Sequence, residues 1–288
     1  MGVILGAWLC AAPGLANAGS LDLFYERTVM TAADSKCGLF TPAISSALAA
    51  ARAQARGAAQ RAGADKAKIV RTEQRAWSKV QSIPCESRDI ALAAGRVRQA
   101  FEGYARLIRM DYPGDQSTWR ADRSSSATAV RWRLAQDQAP GGDRMVFGLA
   151  GREGANAVMA VVHFRDGAAP YAARLVMRDD DVTNGPYLNQ RGLRLSKTPL
   201  AQRLAPPGAQ VAFAAEARSR AGVDLLPKDM ASGWAFRFPP DAARTLAGLD
   251  PRESIAVDFL FSGDATRRIY VEVGDFAAGR AFLQVASR

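Results

Sequence analysis

Four basic side chains recur at steps of three and four residues: Lys68, Arg71, Arg75 and Lys79. On a helix this spacing places all four on one face. Arg52 and Arg56 extend the basic set on the segment before it. Such a face can dock on acidic headgroups or a polyanion, but it is also what an ordinary solvated helix face looks like. The pattern leaves both interpretations open.

Oxygen ligands cluster in one predicted loop, where Asp179, Asp180 and Asp181 are followed by Asn184. The set suggests calcium, with Asp179, Asp181 and Asn184 as candidate ligands. The spacing disagrees with the EF-hand loop, whose glycine comes one position earlier and whose distant glutamate is missing here. We therefore predict a solvated turn, and we predict no metal or other cofactor.

Two carboxylates on the predicted terminal hairpin, Asp258 and Glu272, should both point away from the core. Paired carboxylates can hydrolyse glycosides, whereas Arg268 offers Asp258 a cross-strand ion partner instead. His163 is the sole histidine, and it has neither further zinc ligands nor a serine in a G-x-S-x-G setting. The sequence therefore predicts no catalytic residue.

The first 18 residues are a short apolar run that ends in small residues, which indicates a signal peptide cleaved near Ala18. We expect a bacterial periplasmic or secreted protein, and no transmembrane segment in the mature chain. Cys10 would leave with the signal, so Cys37 and Cys85 remain in an oxidising compartment and should form a disulfide. A redox-active or metal-binding pair is the alternative, but there is no C-x-x-C and no neighbouring histidine.

The chain carries a formal net charge of +10, and 32 of its 38 basic residues are arginine. For an exported protein this balance favours an anionic envelope component or an acidic protein as partner. Export excludes intracellular nucleic acid as the partner. The charge alone does not choose between these two classes.

Residues 19–112 contain helical periodicity and several helix boundaries, which predict a helical bundle domain. The expected helices lie near residues 21–33, 42–63, 64–81 and 88–110. Within the third, Trp77 is expected to face inward with Ile69 and Val80. A bond between the two cysteines would join the end of the first helix to the start of the fourth.

From residue 113 to residue 288 the apolar period falls to two, which predicts an antiparallel β-sandwich domain. A short helix should follow Pro240 and precede the last hairpin. The fold class is therefore α+β, with a disulfide-stapled helical bundle followed by a β-sandwich.

The last 55 residues or so contain two segments around a short helix and a hairpin: Trp234-Ala235-Phe236-Arg237-Phe238 and Gly274-Asp275-Phe276-Ala277-Ala278-Gly279. This part resembles the C-terminal end of the invasion-associated locus B-like family. The resemblance implies a small exported bacterial β-sandwich protein linked to the cell envelope and host-cell entry, without an established catalytic site.

Two main functions are compatible with these observations, and a third, a carrier that holds a small apolar molecule inside the sandwich, would require a sizeable internal cavity. The first is an exported, non-enzymatic binding or structural protein of the envelope that docks through its basic helical domain. The alternative is a periplasmic hydrolase of glycan or peptide whose carboxylates come together only in the fold. It requires a cleft in which two or more of these residues converge: Asp179, Asp180, Asp181, Asp258 and Glu272.

Overall fold

The computed structural model describes residues 13–124, 126–152, 156–188 and 195–284. Its N-terminal part is helical, and four helices follow one another along the chain: α1 (Pro13–Cys37), α2 (Pro42–Arg61), α3 (Lys66–Gln81) and α4 (Arg88–Arg106). Residues 1–12 of the predicted signal peptide lie outside the described residues. No described helix has the length and apolar character needed to span a bilayer.

Local side chains define where these helices begin. Pro42 takes the first turn of α2, where its missing N–H would have no partner. The Asp65 carboxylate accepts a hydrogen bond from the backbone N–H of Lys68, and the Ser87 hydroxyl accepts one from that of Asp89. These caps confirm the predicted starts of α2 and α4 and place the start of α3 at Lys66.

The end of the fourth helix was predicted wrongly, because α4 stops at Arg106 rather than near residue 110. Ile108 continues the helical apolar period, yet its side chain is 59% exposed. The chain leaves the helix so that Tyr112 can pair opposite Trp119 in a strand, where both rings are fully buried. Burying two large aromatic side chains outweighs continuing a marginal helical turn.

Cys37 and Cys85 form the predicted disulfide, with Cα atoms 5.6 Å apart. The bond joins the end of α1 to the turn that precedes α4. Next to it, the Lys36 ammonium donates to the carbonyls of Val80, Gln81 and Ile83. The end of α1 is therefore attached to the end of α3 as well.

Within the described residues, eleven strands form two antiparallel sheets. The seven-stranded sheet has the order β1-β2-β3-β4-β5-β9-β8, and the four-stranded sheet has the order β11-β10-β6-β7. The strands are β1 (Arg109–Pro113), β2 (Thr118–Asp122), β3 (Arg131–Gln138), β4 (Arg144–Gly151), β5 (Ala157–His163), β6 (Ala172–Arg178), β7 (Gln210–Ala214), β8 (Ala217–Arg220), β9 (Trp234–Phe238), β10 (Ser254–Leu260) and β11 (Thr266–Glu272).

Two further helices accompany the sheets. The predicted helix before the last hairpin is α5 (Pro240–Gly248), and α6 (Phe276–Leu283) follows β11. Strand β8 was not predicted, because all of its side chains are exposed and it lacks an apolar alternation. The helices and the antiparallel sheets confirm a mixed α+β chain.

Both sheets contribute to one apolar core, together with α5 and α6. Edge-to-face aromatic contacts run through it, including Trp119 with Phe276 and Phe164 with Phe259. Ala50 of α2 belongs to the same core. The helical part therefore packs against the β part chiefly through α6, which α2 contacts on one side and β1, β2 and β3 contact on the other.

Candidate functional site

Four of the five cations of α3 lie on one side of the helix. Ile69, Thr72, Ala76 and Val80 are buried against the rest of the helical part, whereas Lys68, Arg71, Arg75 and Lys79 are all exposed. Among the residues that the structure describes, none of these four cations has a carboxylate oxygen within 4 Å. We call them the α3 basic stripe.

The contacts around the α3 basic stripe leave its charges exposed to solvent. The Arg75 guanidinium lies over the ring of Tyr25 from α1, 4.4 Å from its centroid. The Asp65 side chain is occupied by the N-cap hydrogen bond to the Lys68 backbone, so it does not approach the Lys68 ammonium. The charges of the stripe thus face solvent on a helix that is fixed at its start and its end.

Trp77 does not face inward as expected, because its side chain is 39% exposed. It follows buried Ala76 by one residue, a rotation of about 100° that carries it past the edge of the buried face. Val70, which is 40% exposed, lies on the same flank about two turns before Trp77. The flank of α3 opposite the basic stripe therefore exposes an aromatic and an aliphatic side chain.

Arg52 and Arg56 are not placed beside the α3 basic stripe. They line a cavity of about 90 Å³ between α2 and the C-terminal part, and Glu73 is the α3 residue that reaches it. Glu73 lies about 155° around the helix from the stripe. The six predicted basic residues are thus divided between an exposed face and an internal cleft.

The predicted calcium loop is a turn held by its own backbone. The Asp179 carboxylate accepts hydrogen bonds from the N–H groups of Asp181 and Val182. Asp180 instead pairs with Arg178 at 2.6 Å and with Lys66 at 3.8 Å. Within the described part of the chain, no group of three or more His, Cys, Asp and Glu residues is placed to hold a metal ion.

His163 ends β5, and its Nδ1 lies 3.0 Å from the carbonyl oxygen of Ser232. This contact fixes the ring against the backbone beside β9. No candidate nucleophile or carboxylate accompanies it among its hydrogen bonds in the structure. The histidine is thus positioned as part of the sheet edge.

The terminal hairpin has the expected register, with Asp258 opposite Arg268. Asp258 lies on the face of β10 opposite the core residues Val257 and Phe259, as expected. It is nevertheless not solvent-exposed, since its side chain is fully buried beneath Arg268 and Arg174. Burial by itself would raise the pKa of Asp258, but hydrogen bonds from these two arginines hold that pKa below its usual value. Asp258 is a locked structural carboxylate.

Glu272 is also fully buried, although it alternates with the core residues Ile269 and Val271 of β11. Its carboxylate accepts hydrogen bonds from the backbone N–H groups of Asp115, Gln116 and Ser117 at 2.8 to 3.0 Å, and Arg203 donates to it at 3.2 Å. These donors belong to the turn between β1 and β2, which forms an anion-binding nest. The chain's own glutamate occupies this nest.

Gly114 makes the nest possible. A Cβ at this position would lie 2.6 Å from both a Glu272 carboxylate oxygen and the Ser117 carbonyl oxygen. Only glycine lets the turn approach the carboxylate so closely. The Pro113-Gly114 pair indicated a turn in the sequence, but nothing local showed which anion the turn would hold.

Two more carboxylates lie near Glu272. Burial and the neighbouring Glu272 raise the pKa of Asp115, which Arg203 approaches to 3.5 Å. Burial also raises the pKa of Asp275, although Arg61 binds both of its oxygens at 2.6 and 2.8 Å. The result is a buried network of three carboxylates and two arginines that joins α2, the β1–β2 turn and the start of α6.

The carboxylates considered for catalysis do not converge. Glu272 of β11 lies opposite Ser254 of β10. Ser254 and Asp258 are four residues apart on β10, so the carboxylates of Glu272 and Asp258 are separated by roughly 13 Å along the strands. Asp179 and Asp180 belong to a different turn. Each buried member of the set is held by arginine, so it is a poor proton donor or nucleophile.

A groove of about 780 Å³ lies on the face of β4, β5, β8 and β9 that carries Met159 and Ala235. None of the five candidate carboxylates lines it. Its floor is largely aliphatic, and Arg220 and Arg237 stand at its rim. The groove therefore offers no site for the hydrolysis considered above.

Comparison with known proteins finds no relative: no family model, no curated protein and no solved structure matches the chain. The function must therefore be argued from the arrangement of its own residues.

Proposed function

We propose that the protein is an exported, non-enzymatic binding or structural module of the bacterial envelope, which docks on an anionic surface through the α3 basic stripe. The observation that carries this proposal is the contrast within one helix. Four cations face solvent without a carboxylate partner in the described residues, while the adjacent face of α3, about 100° around the helix, is buried. Exposed cations contribute little to the stability of the fold, so these four can form ion pairs with a partner without destabilising the protein.

The affinity of such a face can be approximated. Each cation near an anionic surface contributes on the order of 1 kcal/mol. Four of them give about 4 kcal/mol, which is a partition several hundred times stronger than that of an uncharged face. Docking would therefore be reversible and sensitive to salt.

An anionic envelope component is the partner favoured here, and an acidic protein is the second class. Export is the premise, with the signal peptide at residues 1–18 and a periplasmic or secreted location. The Cys37–Cys85 bond supports this premise, because disulfides persist mainly in oxidising compartments. In that location intracellular nucleic acid is not the partner.

The scaffold in this proposal has two domains, a helical bundle at residues 19–112 and a β-sandwich at residues 113–288. The apolar core to which both sheets contribute supports the sandwich, and the disulfide supports the bundle. We also keep the family resemblance of the last 55 residues or so as part of the proposal. It agrees with an envelope role and assigns no catalytic site.

A hydrolase is less well supported, because its proposed carboxylates are paired with arginines and do not share a groove. No second function is proposed for this reason.

The docking proposal can be tested by sedimentation of the mature chain with vesicles. One set carries anionic phosphatidylglycerol and the other only zwitterionic phosphatidylcholine. We expect binding to the anionic set, and we expect the variant with all four stripe residues changed to glutamine to lose it by about a hundredfold or more. Raising the salt from about 0.1 M to about 1 M should release the wild type, because the Debye length falls from roughly 10 Å to roughly 3 Å.

A matched control removes four exposed charges elsewhere, with Arg88, Arg96, Arg131 and Lys228 changed to glutamine. Both variants have the same net charge, so only the position of the charges differs. Equal loss of binding in the two variants, or binding of the wild type that ignores salt, would contradict docking through α3.

A further inference from the structure

The cleft between α2 and the C-terminal part contains two arginines without a carboxylate within 4 Å among the described residues. Arg52 and Arg56 lie one turn apart on α2, so their side chains share a face of the helix. Both line the cavity of about 90 Å³. The Nε of Arg56 is buried there and has no hydrogen-bond partner. A buried N–H donor without a hydrogen-bond partner destabilises the fold, so a ligand that supplies an acceptor oxygen in this cavity would bind favourably.

The other polar groups around the cavity are already engaged. Both oxygens of Asp275 are bound by Arg61, and the Gln60 amide donates to Asp250 at 3.4 Å. Gly57 lets α2 approach this ion pair, because a Cβ there would collide with the Asp275 carboxylate. Because Arg61 occupies both oxygens of Asp275, this carboxylate forms no ion pair with Arg52 or Arg56.

Glu73 is the remaining charge on the cavity wall. Two arginines against one glutamate leave an excess of one positive charge, since the Arg61–Asp275 pair is neutral overall. An arginine guanidinium stays charged at any pH at which the protein is folded. The cavity therefore attracts an anion, and not a neutral polar molecule.

Its size selects the class of anion. A water molecule needs about 10–15 Å³ by this measure, so about 90 Å³ holds a few waters or one tetrahedral oxyanion. Apolar side chains such as Phe24 and Leu249 complete the wall. Two guanidinium forks bind best when every donor meets an oxygen, and a phosphoryl group has more terminal oxygens than a carboxylate.

We propose that this cavity binds one phosphate group, supplied either as inorganic phosphate or as the terminal phosphomonoester of a larger molecule. A terminal phosphomonoester presents three unsubstituted oxygens to the two guanidinium forks, one more than a phosphodiester does, so the site should favour the monoester. The site lies on the flank of α3 opposite the basic stripe, and it goes beyond the docking function proposed above.

Calorimetric titration of the whole chain with inorganic phosphate tests this site. We expect saturable binding that weakens at least about tenfold in the double variant Arg52→Gln/Arg56→Gln, which loses two charge-assisted forks. The variant Arg71→Gln/Arg75→Gln removes the same charge from two arginines one turn apart on α3 and should bind as the wild type. Glu73→Gln should bind several-fold more tightly, because it removes the one like charge.

Thermal unfolding provides an independent readout. Phosphate should raise the melting temperature of the wild type and of the Arg71→Gln/Arg75→Gln variant, but not that of Arg52→Gln/Arg56→Gln. Without phosphate, the latter variant should melt no lower than the wild type, since it loses a buried donor that had no partner. This result separates a lost ligand from a damaged fold.

Vesicles distinguish the two sources of phosphate. Phosphatidic acid carries a terminal phosphomonoester, whereas phosphatidylglycerol carries a phosphodiester. A preference for phosphatidic acid that disappears in Arg52→Gln/Arg56→Gln supports a lipid or glycan phosphomonoester, and phosphate binding without this preference supports the free ion. The site would be overturned if the wild type showed neither phosphate binding nor the preference for phosphatidic acid. Equal phosphate binding by the wild type and Arg52→Gln/Arg56→Gln would overturn it as well. Loss of the α3 stripe bears only on docking.

Discussion

Arginine is used differently in the helical part and in the β part of this molecule. On α3, Arg71 and Arg75 face solvent with no carboxylate nearby in the described residues. In the β part, Arg203 and Arg178 are buried and bind Glu272 and Glu253. The same side chain thus serves as an external charge in one region and as an internal lock in the other.

The physical reason for this difference is desolvation. A guanidinium removed from water needs acceptors for its donors, such as the carboxylates that Arg203 and Arg178 bind, or the fold loses free energy. An exposed guanidinium keeps its hydration, so it can remain unpaired at little cost to stability. Substitutions in the β part should therefore affect folding, whereas those on α3 should affect binding.

The largest effect on folding is expected at Glu272. Changing Glu272 to Gln removes the negative charge that Arg203 needs in a site where both side chains are fully buried. We expect the free energy of unfolding to fall by about 3–5 kcal/mol, measured by urea denaturation.

The matched control is Glu102→Gln on α4. This residue is exposed and pairs with Arg106 one turn away, so its loss should cost no more than about 0.5 kcal/mol. Equal effects of the two substitutions would remove the distinction between locked and free charges.

A smaller effect should follow from opening the disulfide. Cys37 and Cys85 are separated by 48 positions, and closing a loop of that size stabilises a fold by about 4 kcal/mol in the chain-entropy model and typically by about 2–4 kcal/mol. The variant Cys37→Ser/Cys85→Ser should lose this amount in a denaturation experiment.

Hydrogen exchange adds the regional comparison. Protection should decrease in α1, α3 and α4 before it decreases in the sheets, because the bond closes a loop within the helical part. Reductant should lower the stability of the wild type and leave the serine variant unchanged. A uniform decrease across both parts would show that the bond does not act on the helices in particular.

The smallest effect concerns Asp258 and depends on pH. Its pKa is lower in the folded chain than its ordinary value of 3.8, so its contribution is present above that value and is lost as the pH falls through the folded pKa. Asp258→Asn should cost about 1–2 kcal/mol at neutral pH, reduced because Arg174 and Arg268 are partly exposed.

The difference in unfolding free energy between wild type and Asp258→Asn should therefore shrink when the pH is lowered from 7 toward 3. A difference that stays constant over this range would show that the ionised carboxylate is not the source of the stability.

Much of the fold followed from short-range patterns. The caps at Asp65 and Ser87, the helical period of α3 and the alternation of β10 all act over a few residues, so they can be recognised in the chain itself. The pairing of Asp258 with Arg268 also belongs to this class, because a short hairpin loop sets the register. Helix α4 was an exception, since the pairing of Tyr112 opposite Trp119 in the next hairpin ended it early.

The sites were less predictable. Spacing alone placed Lys68, Arg71, Arg75 and Lys79 on one face, but it could not show that Arg52 and Arg56 enter a cleft with Glu73. Trp77 was assigned to the wrong side by a rotation of one residue. An error of one position changes whether a side chain is predicted to be buried or exposed, because neighbouring positions on a helix are about 100° apart.

The chain by itself determined the four N-terminal helices, the change to alternating strands, the cysteine pair and the helix face that carries the basic stripe. Each of these depends on local backbone geometry or, for the cysteines, on having two candidates to join. Only the tertiary structure decided which anion each buried arginine holds. Arg61 meets Asp275 across 214 positions, and Glu272 enters a turn 157 positions away. Such partners are chosen by burial in a shared core, and no local period encodes them.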